Sequence, residues 1–300
     1  RINKKKNAVN VIKWLTAIPA TFALSGCGEV ALFNPVGPVG EAEKWTIIIA
    51  WALMLIIIIP VFAMIFWFAW HYRASNTKAK YEPKWDFSLK IELATWIVPL
   101  LVVLGLSVLA FYKTFKLDPF KPLAQAEEHL NIHVVSMDWK WLFIYPEQGI
   151  ASVNKMVIPV NVPLRFDITS DTVMTSFFVP QLGSQIYAMP RHRSVLHLIA
   201  TETGEFRGQN NNLSGLGYSH MHFPVYSVTQ EEFEAWVNEA RQSPRVLDIP
   251  RFEALSKPSM GHPQMLFSAV DGLLFEYVID QFEGGHAHAG VSPGHDEEEH

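Results

Sequence analysis

Two long stretches of the chain carry no charged residue, and they set its architecture. The first runs from Trp45 to Trp70 and is dominated by Ile, Ala, Phe and Trp; the second runs from Leu93 to Tyr112 and contains Pro99 and Gly105. Each is long enough to cross a bilayer with some tilt. Trp45, Trp67 and Trp70 stand near the ends of the first run, where amphipathic rings favour the interface, and Pro60 is a helix breaker that a membrane helix tolerates. Residues 71–90 between the runs hold Arg73, Lys78, Lys80, Lys84 and Lys90 against Glu82 and Asp86. Short basic loops stay cytoplasmic. The pattern predicts transmembrane helices over 45–70 and 91–112, joined by a cytoplasmic loop over 71–90, with both flanking segments on the outer side.

Past Lys113 the pattern changes to short Val-, Ile- and aromatic-rich runs separated by Gly, Pro and Asn: 131–145, 156–169, 176–180, 195–201 and 219–228. Such spacing predicts a small antiparallel sandwich or Greek-key barrel over 113–230. From Glu231 the period becomes helical, with Phe233, Trp236 and Val237 on one face and a further helical stretch from Leu273 to Phe282, giving a mainly helical extension over 231–283. Residues 284–300 are rich in Gly, His and acids and read as disordered.

The only cysteine is Cys27, so no disulfide can form within the chain. It follows Arg1, Lys4, Lys5, Lys6 and Lys13, an apolar run from Trp14 to Ala23, and Leu24-Ser25-Gly26. That layout reads as a secretory signal over 1–26. Leu-Ser-Gly-Cys resembles a bacterial lipobox, in which Cys27 takes the lipid and opens the mature chain, leaving 27–44 as a periplasmic N-terminal segment. An outward lipid anchor and a basic inner loop agree on one topology: bacterial inner membrane, two spans, both termini periplasmic. The net charge of −5 falls to −10 when the five leader cations are removed. That balance excludes a nucleic-acid partner.

Several motifs are more specific. Val134-Val135-Ser136-Met137-Asp138-Trp139-Lys140-Trp141, Phe143-Ile144-Tyr145-Pro146-Glu147-Gln148-Gly149-Ile150, the stretch Ser176 to Met189, and Tyr72-Arg73-Ala74-Ser75-Asn76 closely resemble subunit II of the cytochrome bo-type ubiquinol oxidases. These belong to the haem-copper oxidase superfamily, and the likeness covers the chain from the lipobox to about Pro244. The resemblance implies a two-helix transmembrane hairpin carrying an all-β cupredoxin-like Greek-key sandwich. It also implies a complex that oxidises ubiquinol, reduces oxygen to water and pumps protons. Haems, copper and the quinol site would lie in subunit I, with small membrane subunits III and IV alongside. This chain would then hold no cofactor and act as a structural and proton-path partner.

The loop from Gly208 to Met221 bears on that expectation. In the copper-bearing cytochrome c oxidases, subunit II carries Cys-x-Glu-x-Cys-x-x-x-His-x-x-Met after a Gly-Gln pair and holds two copper ions there. On the matching frame Asn210 and Ser214 replace the cysteines, Asn212 the Glu and Tyr218 the His, while Met221 is retained; Thr175 takes the place of the upstream histidine. A thiolate-bridged copper pair needs sulfurs and imidazoles, so these positions read as vestigial and no metal is expected. His220 and His222, two apart on a predicted strand, share a face; they read either as half of a mononuclear site or as solvent-facing histidines. Glu92, at the cytoplasmic start of the second membrane helix, reads either as functional or as a first-turn carboxylate stabilised by the helix dipole. The resemblance favours the first, because a Glu in a matching Lys-x-Glu marks the entrance of a proton path into subunit I. Trp139 and Trp141 form a Trp-x-Trp pair facing one side of a predicted strand, read as sandwich core or subunit contact. His286, His288, His295 and His300 read as a solvated tail. Two other functions stay open: a cytochrome c oxidase subunit II, which the missing cysteines oppose, and a membrane-tethered cupredoxin-fold binding or assembly lipoprotein.

Overall fold

The computed structural model describes residues 30–80, 82, 84–122 and 129–281. Cys27, the leader and the four tail histidines lie outside the described residues. Helices α1 (Pro38–His71) and α2 (Leu89–Lys116) form the hairpin. Both exceed the roughly 20 apolar residues that a bilayer core requires. Most of their Ile, Leu, Phe and Trp side chains are exposed, a surface that only a membrane or partner protein would cover. Helix α1 begins ahead of the uncharged run, with Pro38 in its first turn, where a missing N–H costs nothing. At its far end Asn76 donates to the His71 carbonyl (2.6 Å) and Arg73 to the Trp70 carbonyl (2.7 Å), satisfying acceptors that the helix leaves free.

Two sheets follow. One has the order β11 (Met265–Phe267), β3 (Ile150–Val153), β2 (Lys140–Tyr145), β1 (Leu130–Met137), β5 (Leu164–Ser170), β8 (Ser194–Leu198). The other has β4 (Met156–Pro159), β10 (His222–Val228), β9 (Gly204–Gln209), β6 (Thr175–Val179), β7 (Gly183–Ala188). Within them β1 pairs parallel with β5 and β4 with β10; the remaining pairs are antiparallel. Trp141, Phe143, Phe166, Phe177 and Phe223 fill the space between the sheets. Strand β2 is buried along its whole length because the C-terminal extension covers its outer face. Helices α4 (Ile249–Ser256) and α5 (Leu274–Asp280) bring Phe252, Leu274, Phe275 and Val278 against Leu142 and Ile144 in a second core. Helix α3 (Gln230–Arg241), started by a Thr229–Glu232 capping box, seats Phe233 and Trp236 on Tyr145.

The observed elements differ from the predicted runs in informative ways. The run 131–145 is a hairpin, β1 and β2, turning at Asp138-Trp139 with Trp139 at φ 63°. Trp139 and Trp141 therefore do not share a strand face: Trp139 sits in the turn and Trp141 in the core. The run 156–169 is also two strands, β4 and β5, in different sheets, broken at Asn161 (φ 59°).

The sandwich is tied to the hairpin at two points. Val36 donates its N–H to the Gln181 carbonyl (2.8 Å), Gly40 to the Leu182 carbonyl (3.1 Å), and Thr201 to the Val36 carbonyl (2.8 Å). Gly183, at φ 108°, lies so close to the start of α1 that a Cβ there would meet the Gly40 nitrogen at 2.7 Å. After α2, the His197 ring nitrogen Nδ1 contacts the Pro119 carbonyl at 3.1 Å.

Candidate functional site

The Gly208 to Met221 loop joins β9 to β10 and is closed at its base by a hydrogen bond from the Asn210 N–H to the Met221 carbonyl (3.0 Å). Its interior is organised by one side chain. The buried Asn210 Oδ1 accepts from the Ser176 N–H (2.9 Å), the Ser176 hydroxyl (3.3 Å) and the Asn212 N–H (2.9 Å). Its Nδ2 donates to the Asn212 carbonyl (2.8 Å), Ser214 Oγ (3.2 Å) and Met221 Sδ (3.3 Å). Ser214 also donates to Met221 Sδ, at 3.1 Å. A carboxamide has two donors and a two-lone-pair acceptor, so this environment uses its whole capacity. Four of the six positions read from the sequence thus converge: Asn210, Asn212, Ser214 and Met221. Thr175, also buried, donates instead to Ser136 Oγ (2.7 Å). Tyr218 opens a short 3-10 turn (Tyr218–His220), half-buried.

Trp139 covers the loop from outside. Its indole N–H donates to the Ser214 carbonyl (2.8 Å), and its ring lies over Gly217, where a Cβ would fall on the ring itself. The unusual backbone of Trp139 is what aims the indole across 75 residues of sequence. Sequence reading missed this partner because it placed Trp139 on a strand.

A dinuclear copper centre does not fit these residues. Among the described residues the sulfur that meets the Asn210 and Ser214 side chains is the Met221 thioether, and it already accepts from both. Amide and hydroxyl groups are poor ligands for soft copper. His220 and His222 do not form the shared strand face expected of them. His220 lies in the 3-10 turn and His222 begins β10; both are exposed and both engage Ser219, by Oγ at 3.3 Å and by the carbonyl at 3.2 Å respectively. Among the described residues no group of three or more His, Cys, Asp or Glu side chains is placed to hold a metal ion.

Glu92 is remote from this loop. It is an exposed carboxylate in the first turn of α2, at the end of that helix opposite the sandwich; at 1.5 Å per residue the helix separates the two by roughly 35 Å. Two titratable groups, one buried and one half-buried, escaped sequence reading. Lys140, between the two tryptophans, is buried and donates Nζ to the Lys257 carbonyl (2.6 Å) and Ser259 Oγ (2.8 Å), clasping the C-terminal extension to β2. Burial pushes its pKa down, against the opposing pull of Asp138 and Asp171. His133 stacks on Phe275 of α5 at 4.3 Å, and burial lowers its pKa as well; Asp167 and Glu276 raise it while Arg193 and Arg165 lower it.

Comparison with known proteins decides the family. Residues 147–228 match the family model of the cytochrome c oxidase subunit II periplasmic domain, and 241–286 match that of the COX aromatic rich motif. The chain is 50% identical over 261 residues to the cytochrome bo(3) ubiquinol oxidase subunit 2 of Pseudomonas putida, covering 87% of this chain and 83% of that one. It is 45% identical to the ubiquinol oxidase subunit 2 of Acetobacter aceti, covering 90% and 88%. The chain belongs to the ubiquinol oxidase subunit 2 family. Among solved structures, the periplasmic domain of subunit II of a Bradyrhizobium japonicum cytochrome oxidase aligns at 29% identity and a TM-score of 0.37, over 39% of this chain and 96% of that one.

Membership in the ubiquinol oxidase subunit 2 family makes the chain one subunit of an oxidoreductase complex. Its two apolar helices fit a membrane-bound subunit. That its relatives are named as subunit 2 of an oxidase implies a subunit I beside it.

Proposed function

We propose that the chain is the subunit II of a proton-pumping ubiquinol oxidase that carries no redox centre of its own, serving subunit I as a structural and proton-path partner. The observation that carries this is the filled interior of the loop at Asn210: hydrogen bonds occupy the space in which copper-bearing relatives hold their electron acceptor. Without that acceptor there is no path from cytochrome c through this chain, and quinol oxidation, with the haems and copper, falls to subunit I. Subunits III and IV complete the complex. Cys27 is lipidated, the membrane is the bacterial inner membrane, and both termini are periplasmic. Glu92 then stands at the cytoplasmic face, exposed and directly ahead of an apolar helix, where it loads protons into the path leading to subunit I.

The test is purification of the intact complex, followed by oxygen consumption with ubiquinol and with reduced cytochrome c, and metal analysis of this subunit. Turnover on ubiquinol alone with no copper in subunit II is expected; cytochrome c turnover or two coppers in this chain overturns the reading. Glu92→Ala is expected to slow quinol oxidation at unchanged haem content, and an unchanged rate removes Glu92 from the proton path.

A further inference from the structure

The sandwich-side end of α2 carries a surface that the proposed function leaves unused. Phe111, Tyr112, Phe115 and Lys116 line an open groove of ≈ 520 Å³. Their spacing places them on one helix face over more than a turn. Phe111 and Phe115 meet at 4.8 Å between ring centres, and both remain more than half exposed. The lower part of the groove is therefore hydrocarbon-like and unpartnered within the chain.

Its rim is cationic. Lys116, the cation that lines the groove, lies in the last turn of α2. Its Nζ stands 5.9 Å from the Tyr112 ring centre, and Lys121 Nζ donates to the Phe115 carbonyl (2.8 Å), returning a second ammonium to the same turn. The one acid in the described part of this turn is Asp118, whose Oδ1 accepts the Phe120 N–H (3.1 Å). Aromatic rings beneath clustered ammonium groups, at the depth where an apolar helix leaves the bilayer, match an acyl chain beneath a phosphodiester.

We propose that this groove is a binding site for an anionic glycerophospholipid in the leaflet on the sandwich's side, its phosphate held by Lys116 and its acyl chain lying along Phe111 and Phe115. The site rests on the reading of α2 as a membrane span. Lys121 orders the end of the helix through the Phe115 carbonyl and so shapes the rim.

The intact oxidase complex, reconstituted in phosphatidylcholine nanodiscs doped with photoactivatable phosphatidylglycerol or, in a parallel arm, photoactivatable phosphatidylcholine, tests this by mass spectrometry of peptides from 108–121. Preferential labelling by phosphatidylglycerol is expected. Each of Lys116→Gln and Lys116→Ala is expected to reduce that preference by about fivefold, from the attraction of one surface cation for anionic lipid, without changing phosphatidylcholine labelling. Equal labelling by both lipids overturns the site, leaving only a lipid-facing aromatic belt. No labelling by either overturns it too, because protein then covers the groove. Quinol oxidation measured in the same nanodiscs reports separately on the proposed function and is expected to be unaffected by the lysine variants.

Discussion

Removing the Asn210 side chain is the sharpest perturbation of the Gly208 to Met221 loop. In Asn210→Ala the Ser176 and Asn212 amides lose their acceptor, and the Asn212 carbonyl loses its donor. Ser176 is fully buried and Asn212 half-buried, so water replaces the lost partners only after the loop opens. A neutral hydrogen bond contributes about 1 kcal/mol net, and an orphaned buried group costs about 1–3 kcal/mol. Three affected backbone groups, taken toward the lower bound because the loop borders solvent, give a local loss of about 2–4 kcal/mol. Native-state hydrogen exchange reads that loss directly as faster exchange at Ser176 and Asn212, by about 30- to 1,000-fold at 1.4 kcal/mol per decade. Ser214→Ala removes only the hydroxyl contact to Met221 Sδ and one acceptor for Asn210. It should accelerate the same amides by less than about tenfold, since less than a full neutral bond is lost. Exchange at Ser176 and Asn212 within twofold of the parent in Asn210→Ala, or equal effects from the two variants, would refute the account of Asn210 as the organiser of the loop.

Three further outcomes follow from the same structure. Gly217→Ala places a methyl on the Trp139 ring, so the ring must leave the loop; a cost of about 1–3 kcal/mol is expected from overpacking, with a red shift and higher quencher access in Trp139 fluorescence, checked against Trp139→Phe. The contact of His133 with Phe275 should weaken in acid. Because burial depresses the folded pKa, its stabilising share is fully present above the unfolded value near 6.5 and is lost as pH falls below it toward the folded value. Protection of the 274–280 amides, relative to their intrinsic exchange rates at each pH, should therefore fall below about pH 6.5, and His133→Gln should flatten that dependence. Lys140→Met strips the Lys257 carbonyl and Ser259 hydroxyl of their common donor; limited proteolysis is expected to show faster cleavage near Lys257, and an unchanged rate would mean that the clasp contributes nothing to holding the extension.

The membrane hairpin was legible because absence of charge over a bilayer's length is a one-dimensional signal. The strands were legible only where turns carried Gly or Pro. The β1–β2 turn is Asp138-Trp139, and a tryptophan at positive φ leaves no trace in composition. Strand β9 reads Gly-Glu-Phe-Arg-Gly-Gln, alternating but polar, with only Phe206 and Gly208 buried, and it escaped for that reason. At the site, the frame of the loop identified Asn210, Asn212, Ser214 and Met221, since spacing is preserved where chemistry is not. What replaces the ligands was not legible. Ser176 lies 34 residues from Asn210 and Trp139 lies 75 from Ser214, and no local pattern encodes a hydrogen bond across such separations. Lys140 was hidden likewise, because a lysine two residues from an aspartate reads as surface until the extension is folded over it.

The two ties between hairpin and sandwich bear on how the complex moves. A domain on a flexible tether absorbs motion of its anchor, whereas here Val36, Gly40 and Thr201 bond across the junction on one side and His197 meets Pro119 on the other. Any tilt of α1 must therefore appear as a swing of the whole sandwich, with the long helix acting as the lever and the Gly183 contact as its fulcrum. A bulky residue at position 183 would be felt on both sides of the membrane surface, although it touches nothing within the bilayer.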